Sequence, residues 1–172
     1  MNTINYLAPG TIEFKRNVSV AWSSYGQIIQ LRGWLPDEVG GVAWFSFDNP
    51  GESPRIPIYS GATALPAGFE FCGQKRYRED AAIWSYRKAN KLATISWGKT
   101  KELILENVLS FEEKALKEMP AIEKEASELV KAGKNAEAKA LATAYTRNFE
   151  AATRQRWGEL EIKFWEMFGK GF

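Results

Sequence analysis

The sequence contains no histidine, and Cys72 is the only cysteine among its 172 residues. Without an imidazole, the Ser-His-Asp and Cys-His forms of nucleophilic catalysis are excluded. A single cysteine also excludes an internal disulfide framework, and together with the lack of histidine it excludes the usual zinc sites. No apolar run approaches the roughly 20 residues that a membrane-spanning helix needs, so we expect no membrane partner.

Positive and negative side chains are nearly balanced. The 23 basic and 21 acidic side chains are interspersed and leave a net charge of +2. Because affinity for nucleic acid starts with clustered Lys and Arg, we expect no nucleic-acid partner. Hydrophobic residues make up 45% of the chain and include seven Trp, ten Phe and six Tyr, which is ample for a core. The length predicts a single domain over positions 1–172.

Positions 1–75 have a strand-and-turn composition, because glycine and proline interrupt short apolar runs. These runs predict strands at residues 13–22, 26–31, 42–47 and 56–59. Between the last two, Asp48-Asn49-Pro50-Gly51 is typical of a turn in which Gly51 takes a positive φ. This strand-rich part is predicted to form an antiparallel sheet layer.

Positions 76–172 are predicted to be helical, because apolar residues recur there every three and four positions. Helices are expected at residues 81–92, with Asp80 as N-cap, at residues 100–130 and at residues 136–168. Pro120 lies inside the second of these and is expected to kink or restart it. Gly133 is typical of a helix stop, so the last two helices should form a long C-terminal antiparallel hairpin. The predicted fold class is α+β.

Few side chains suggest catalysis by their type and position. Cys72 lies before Lys75 and Arg76, and nearby cations lower the pKa of a thiol. Free cysteine is nevertheless among the most buried residue types, so a buried or incidental thiol is the favoured interpretation. The acid pairs Asp37-Glu38 and Asp48/Glu52 lie in predicted turns, where backbone geometry favours acids, and no phosphate-binding glycine loop is present. The residues therefore indicate no catalytic group and no metal site.

Three side chains are candidates for substrate binding: Arg32, Arg55 and Trp44. Each arginine lies on or beside a predicted strand in an apolar neighbourhood, where a buried guanidinium needs a carboxylate partner. That partner is Asp37, Asp48 or a carboxylate of the substrate, and a structural salt bridge is the alternative role. Trp44 belongs to a group of strand aromatics that either line a cleft or form the sheet core.

Several sequence blocks, in their order and spacing over residues 13–131, resemble the dipeptidase A family. These cysteine peptidases belong to the N-terminal nucleophile hydrolase class. The blocks are Ile28-Ile29-Gln30-Leu31-Arg32, Leu35-Pro36-Asp37, Gly40-Gly41-Val42-Ala43-Trp44, Ile56-Pro57-Ile58-Tyr59-Ser60-Gly61, Leu65-Pro66 and Asp80-Ala81-Ala82-Ile83-Trp84.

The resemblance implies an αββα sandwich, in which helices cover two stacked sheets. It also implies hydrolysis of short peptides through an acyl-enzyme on an N-terminal cysteine, with no metal or organic cofactor. In this class the free α-amino group of residue 1 acts as the base, which explains why histidine is dispensable. A bidentate arginine is what the C-terminal carboxylate of a dipeptide requires.

The sequence departs from the family pattern at its first residue, which is Met1. The thioether of methionine has no proton to lose and cannot act as the nucleophile. No catalytic residue of the family is therefore assigned to this sequence. The chain is therefore interpreted as a C-terminal portion with a partial αββα fold, inactive by itself, that supplies a cleft wall and a helical layer. Its expected partners are a short peptide substrate once the enzyme is complete, and the N-terminal half of the same enzyme or further copies of the chain.

An exposed edge strand around residues 26–32 or 42–47 is the expected docking site for such a partner. The alternative from a different class is a non-enzymatic scaffold or interaction module built on the helical hairpin of residues 100–168.

Overall fold

The computed structural model describes residues 6–10 and 19–169. Three strands form an antiparallel sheet in the order β1 (Tyr25–Leu31), β2 (Gly41–Phe47) and β3 (Ile56–Tyr59). A four-residue helix, α1 (Asp37–Gly40), connects β1 to β2, and a 3-10 turn (Ala67–Phe69) follows β3. Three longer helices complete the described chain: α2 (Ala82–Ile95), α3 (Trp97–Lys131) and α4 (Asn135–Gly169). The α+β class with a long C-terminal helical hairpin is confirmed.

The strands predicted at residues 26–31, 42–47 and 56–59 are confirmed as β1, β2 and β3. Of the strand predicted at residues 13–22, positions 13–18 lie outside the described residues. Positions 19–22 form a bend and a turn, so the prediction is wrong for them. The backbone amide of Ser23 donates to the carbonyl of Val20 at 3.0 Å, a local bond that takes the place of ladder pairing. Of the two alternatives for an edge strand, residues 42–47 are wrong because β2 is central, whereas β1 lies at an edge of the three-stranded sheet.

The two faces of the sheet have different surroundings. The register places Ile28, Trp44 and Pro57 side by side on one face, and Ile29, Ala43 and Ile58 on the other. The first face is directed toward the helical hairpin, because Tyr59 on the same face lies against α3 and α4. On the second face, the ring of Phe69 covers Phe45 and Phe47, while Ile29 is more than half exposed.

The helical hairpin consists of α3 and α4, each 35 residues or about 52 Å long. Gly133, at a φ of 75°, allows the chain to reverse between them. Its amide donates to the carbonyl of Val130 at 2.9 Å, and that of Lys134 donates to Leu129 at 2.9 Å, which is a Schellman motif. The predicted helix stop is confirmed. Hydrogen bonds at two levels, from Tyr145 to Glu118 and from Arg156 to Asn107, show that the helices run antiparallel.

Two helix predictions need correction. Asp80 does not cap α2, because its carboxylate accepts two bonds from Arg78, at 2.8 Å from Nε and 2.6 Å from Nη2. Ala81 occupies the N-cap position instead. Of the kink or restart expected at Pro120, the restart is wrong, since α3 continues through the proline, and the kink stays a prediction. The proline ring points to solvent, and packing of neighbouring buried side chains such as Met119 and Glu123 holds the helix together on both sides.

The core lies where α2, α3, α4 and the sheet meet. Its largest fully buried side chains include Trp157, Tyr86, Tyr59 and Phe164. Tyr86 stacks on Phe47 at a ring distance of 5.7 Å and lies 5.8 Å from Trp157. Such aromatic pairs connect the sheet to the helices and thereby hold the sheet surface in place.

Candidate functional site

Trp44 and Arg55 line the same groove, between the sheet and α3. Trp44 lies on the central strand, and its indole Nε1 donates to Gln30 Oε1 on β1 at 3.0 Å. Arg55 directly precedes β3, and its guanidinium forms a salt bridge with Glu112 of α3. The groove has a volume of about 370 Å³ and is lined by Ile28, Gln30, Trp44, Arg55, Glu112 and Leu116.

This groove combines apolar walls with one positive and one negative side chain. Trp44, Ile28 and Leu116 provide the apolar part, while Arg55 and Glu112 lie at its polar end. The Arg55 side chain is 35% exposed, so a ligand can reach the guanidinium from solvent. A groove of this kind can hold a short molecule that carries a carboxylate and an apolar group.

Arg32 lies apart from that groove, in the loop after β1. Its Nη1 donates to Glu123 Oε1 of α3 at 2.5 Å, and its Nη2 donates to the carbonyl oxygen of Val39 at 2.7 Å. Its Nε is buried and has no partner among the described residues. Arg32 borders a separate depression of about 320 Å³, which Leu35 and Ser60 also line. The structure thus brings Trp44 and Arg55 together and places Arg32 elsewhere.

The expected carboxylate partners within the chain were wrong for both arginines. Arg32 pairs with Glu123 and Arg55 with Glu112, whereas Asp37 and Asp48 were predicted. Both observed partners lie on α3, more than 50 positions away in the chain. No local signal in the sequence identifies them, because only the packing of α3 against the sheet brings them near.

Glu123 is the centre of a nearly buried polar cluster. Besides Arg32, it accepts a hydrogen bond from the hydroxyl of Tyr59 at 3.1 Å. Burial raises the pKa of Tyr59 far above its usual range, and the adjacent Glu123 carboxylate raises it further. Tyr59 therefore remains a neutral donor. The cluster ties β1 and β3 to α3, which fixes the position of the sheet on the hairpin.

A second buried cluster, centred on Asp48, is absent from the sequence predictions. Asp48 is fully buried, and its carboxylate accepts hydrogen bonds from Arg87 at 2.7 Å and from Asn90 at 3.2 Å. Asn90 also accepts a bond from Trp157 Nε1 at 2.9 Å. The positive φ predicted for Gly51 occurs instead at Asp48, whose φ is 58°. Aspartate tolerates this region better than most residues, which is the one signal that points to it in the sequence.

Cys72 was interpreted as a buried or an incidental thiol; it is exposed, so burial is wrong and the incidental role stays a prediction. It lies in an irregular segment between the 3-10 turn and α2. Over residues 6–10 and 19–169, no three His, Cys, Asp or Glu side chains are arranged to hold a metal ion. Within the same residues, none of the helices combines the length and apolarity needed to cross a bilayer.

A comparison with protein-family models supplies the family. The model of Peptidase family C69, the dipeptidase A family, matches residues 5–109, more than half of the chain. The chain belongs to this family. The resemblance read from the sequence blocks is thereby confirmed. A comparison with curated proteins found no match.

The family match covers the part of the chain that carries the candidate site. Arg32, Trp44 and Arg55 all lie within residues 5–109, together with the sheet and α2. Glu112 and Glu123, which pair with the two arginines, lie beyond the matched segment. The C69 segment therefore provides the arginines, and the rest of α3 provides their carboxylate partners.

Proposed function

We propose that this chain is the C-terminal part of a dipeptidase-like peptidase whose N-terminal cysteine nucleophile is carried by another part of the enzyme. Membership of Peptidase family C69 is the observation that carries the proposal. Cys72 is exposed in a loop, and without histidine in the chain it lacks the base that cysteine catalysis usually employs.

In the proposed complete enzyme, the thiolate of the N-terminal cysteine attacks the carbonyl carbon of the peptide bond. The C–N bond breaks, the amine leaves with a proton delivered by the α-amino group, and a thioester remains. Water then hydrolyses this acyl-enzyme and releases the acid. The present chain contributes no atom to these steps. It supplies a wall of the cleft and the helical layer behind it.

We assign substrate binding first to the groove that Trp44 and Arg55 share. A short peptide carries a C-terminal carboxylate, which Arg55 can hold through two parallel N–H···O bonds. Glu112 already bonds to Arg55 and occupies the position that this carboxylate would take or share. The indole of Trp44 gives an apolar surface for a side chain of the peptide.

Arg32 is the second proposed substrate contact. Its depression also has apolar walls, formed by Leu31 and Leu35. Both terminal nitrogens of Arg32 are already bonded, to Glu123 and to the carbonyl of Val39, and the side chain is only 10% exposed. A substrate carboxylate would have to displace Glu123, so Arg55 is the stronger of the two candidates.

The test is reconstitution of dipeptide hydrolysis with the front-half polypeptide that carries the N-terminal cysteine. We expect the chain alone to be inactive and the mixture to be active. Replacement of Arg55 by Ala should raise KM about 10- to 100-fold, because a hydrogen bond to a charged group contributes roughly 1.5–3 kcal/mol. Arg55→Lys should restore part of this loss, and Trp44→Ala should raise KM for peptides with large side chains.

The matched control is Arg78→Ala, since Arg78 also pairs with a carboxylate but lies outside both depressions. It should leave KM unchanged. Equal KM values for Arg55→Ala and the unmodified chain would refute the groove as the carboxylate site. Hydrolysis at an enzymic rate by this chain alone would refute its dependence on a front half.

A second candidate function is a non-enzymatic interaction module, and a stripe of exposed leucines on α3, which includes the groove-lining Leu116, favours it. Leu105, Leu109 and Leu116 recur there at intervals of four and seven and are all exposed. Such a stripe is typical of a helix that packs against a partner. If reconstitution gives a complex without hydrolysis, and Leu109→Lys abolishes that complex, this second function is the one to retain.

A further inference from the structure

The free edge of β1 presents unpaired backbone groups. The amide of Arg32 donates to Gly40 at 2.9 Å, and the carbonyl of Ser24 accepts from Asp48 at 2.9 Å. Even-numbered residues of this strand therefore direct their N–H and C=O groups toward β2. The odd-numbered residues Tyr25, Gln27, Ile29 and Leu31 direct theirs outward. Within residues 6–10 and 19–169, these outward groups have no backbone partner.

Among the residues that the structure describes, nothing protects this edge against strand pairing in any of the usual ways. Its sequence, Tyr-Gly-Gln-Ile-Ile-Gln-Leu, contains no charged residue and no proline. The large apolar side chains Tyr25, Ile28, Ile29 and Leu31 are each more than half exposed. Natural proteins blunt exposed edges with lysine, proline, bulges or a covering element, because bare edges pair with other strands. β1 is therefore suited to receive a strand.

We propose that the occupant of this edge in the isolated chain is β1 of a second copy, paired antiparallel about a two-fold axis at Ile28. In this register Tyr25 lies opposite Leu31, and Gln27 lies opposite Ile29. The outward groups of each strand then meet those of the other, which gives eight backbone hydrogen bonds by the antiparallel pattern. The two sheets become one sheet of six strands, and the contact is symmetric and closed.

The composition of the strand favours a second copy as the occupant. A strand without charges does not repel itself, and the pairs Tyr25–Leu31 and Gln27–Ile29 place large side chains against each other on one face. On the other face, Ile28 meets Ile28 of the second copy. Leu116 borders the same groove as Ile28 and is exposed, so the two-fold axis would also bring both grooves together.

Residue 28 gives a sharp test. It forms a non-hydrogen-bonded pair with its own equivalent, where opposed side chains approach most closely. We expect light scattering to report about twice the chain mass of 19.4 kDa for the unmodified protein. Ile28→Lys and Ile28→Glu should each be monomeric, because like charges face each other directly. An equimolar mixture of these two variants should regain the doubled mass.

Two matched controls separate pairing from folding. Ile162→Lys makes the same change at an exposed isoleucine of α4, away from the edge, and should remain dimeric. Gln27→Pro removes one outward N–H without touching the pairing with β2, and should be monomeric. Gln27→Ala keeps that N–H and should remain dimeric. Circular dichroism of each variant verifies that the fold is intact.

A monomeric mass for the unmodified chain at every soluble concentration would overturn the proposal. A doubled mass that survives in Ile28→Lys and Ile28→Glu would overturn the register. If the unmodified chain is monomeric, and a front-half polypeptide binds it but not Gln27→Pro, the edge belongs to that polypeptide. The proposal does not depend on peptidase activity, because a dimer that gains no hydrolysis on reconstitution contradicts only the proposed function.

Discussion

Removal of the Glu123 carboxylate should destabilise this protein far more than removal of a typical surface acid. In Glu123→Ala the guanidinium of Arg32 keeps only its bond to the carbonyl of Val39, and the hydroxyl of Tyr59 loses its acceptor. The side chains of Arg32 and Glu123 are only 10% and 12% exposed, so water replaces the lost partner poorly. Breaking a buried ion pair from one side costs about 3–5 kcal/mol.

For a domain of this size, each kcal/mol shifts the melting temperature by about 2–4 °C, so the loss corresponds to roughly 6–20 °C. The assay is urea unfolding followed by tryptophan fluorescence, with thermal unfolding as a second measurement. The paired variant Arg32→Met/Glu123→Met should recover most of the loss, since it removes both charges and retains apolar volume. Asp80→Ala is the surface control and should leave the unfolding midpoint nearly unchanged, because its ion pair with Arg78 is solvent-exposed.

Two results would refute this reasoning. A loss below about 1 kcal/mol in Glu123→Ala would mean that the pair behaves like a surface salt bridge. A double variant that is less stable than Glu123→Ala would mean that Arg32 stabilises the fold through contacts other than its ion pair. In that second case, the ion pair of Arg32 with Glu123 would not be what holds the loop after β1 against α3.

Two further predictions concern α3 and α4. Burial raises the pKa of Glu150, and the charge of Arg154 only partly offsets this, so the folded state holds the proton more tightly than the unfolded state. The stability that the protonated carboxyl of Glu150 provides is present below the unfolded pKa and is lost as pH rises through the folded pKa. Glu150→Gln should therefore stabilise the protein more at pH 8 than at pH 4. Equal effects at the two pH values in urea unfolding would contradict this. Pro120 prevents one backbone bond to the carbonyl of Leu116 inside a continuous helix, so Pro120→Ala should raise the free energy of unfolding by up to about 3 kcal/mol. An unchanged urea midpoint would show that α3 already accommodates the proline without loss.

The secondary structure followed closely from local patterns. Short apolar runs bounded by turn residues identified β1 and β2, and Gly133 identified the end of α3, because these signals act within a few positions of the chain. Predictions that depended on a choice between local partners were less successful. Asp80 has the right type and position for an N-cap, but the guanidinium of Arg78 two residues away competes for the same carboxylate.

The candidate site was only partly accessible from the sequence. Residue type and apolar context selected Trp44, Arg55 and Arg32, and two of these share a groove. Their carboxylate partners were not predicted, because both lie on α3. In the sequence of a helix, a glutamate that forms an ion pair cannot be distinguished from one that is exposed to solvent. Asp48 was assigned to a turn and does lie at a bend just before one, but its burial at the centre of a cluster with Arg87 and Asn90 was not predicted.

By itself, the sequence determined which chemistry this chain lacks, which family it resembles, and where most strands and helices lie. Composition, periodicity and turn residues act over short distances, so they can be read without knowledge of the fold. Only the tertiary structure decided that β1 is the exposed edge, that Glu123 holds Arg32, and that Asp48 is buried. Such facts depend on which distant segments meet, and the free energy of those contacts comes from burial and from pairing across the fold rather than from neighbours along the chain.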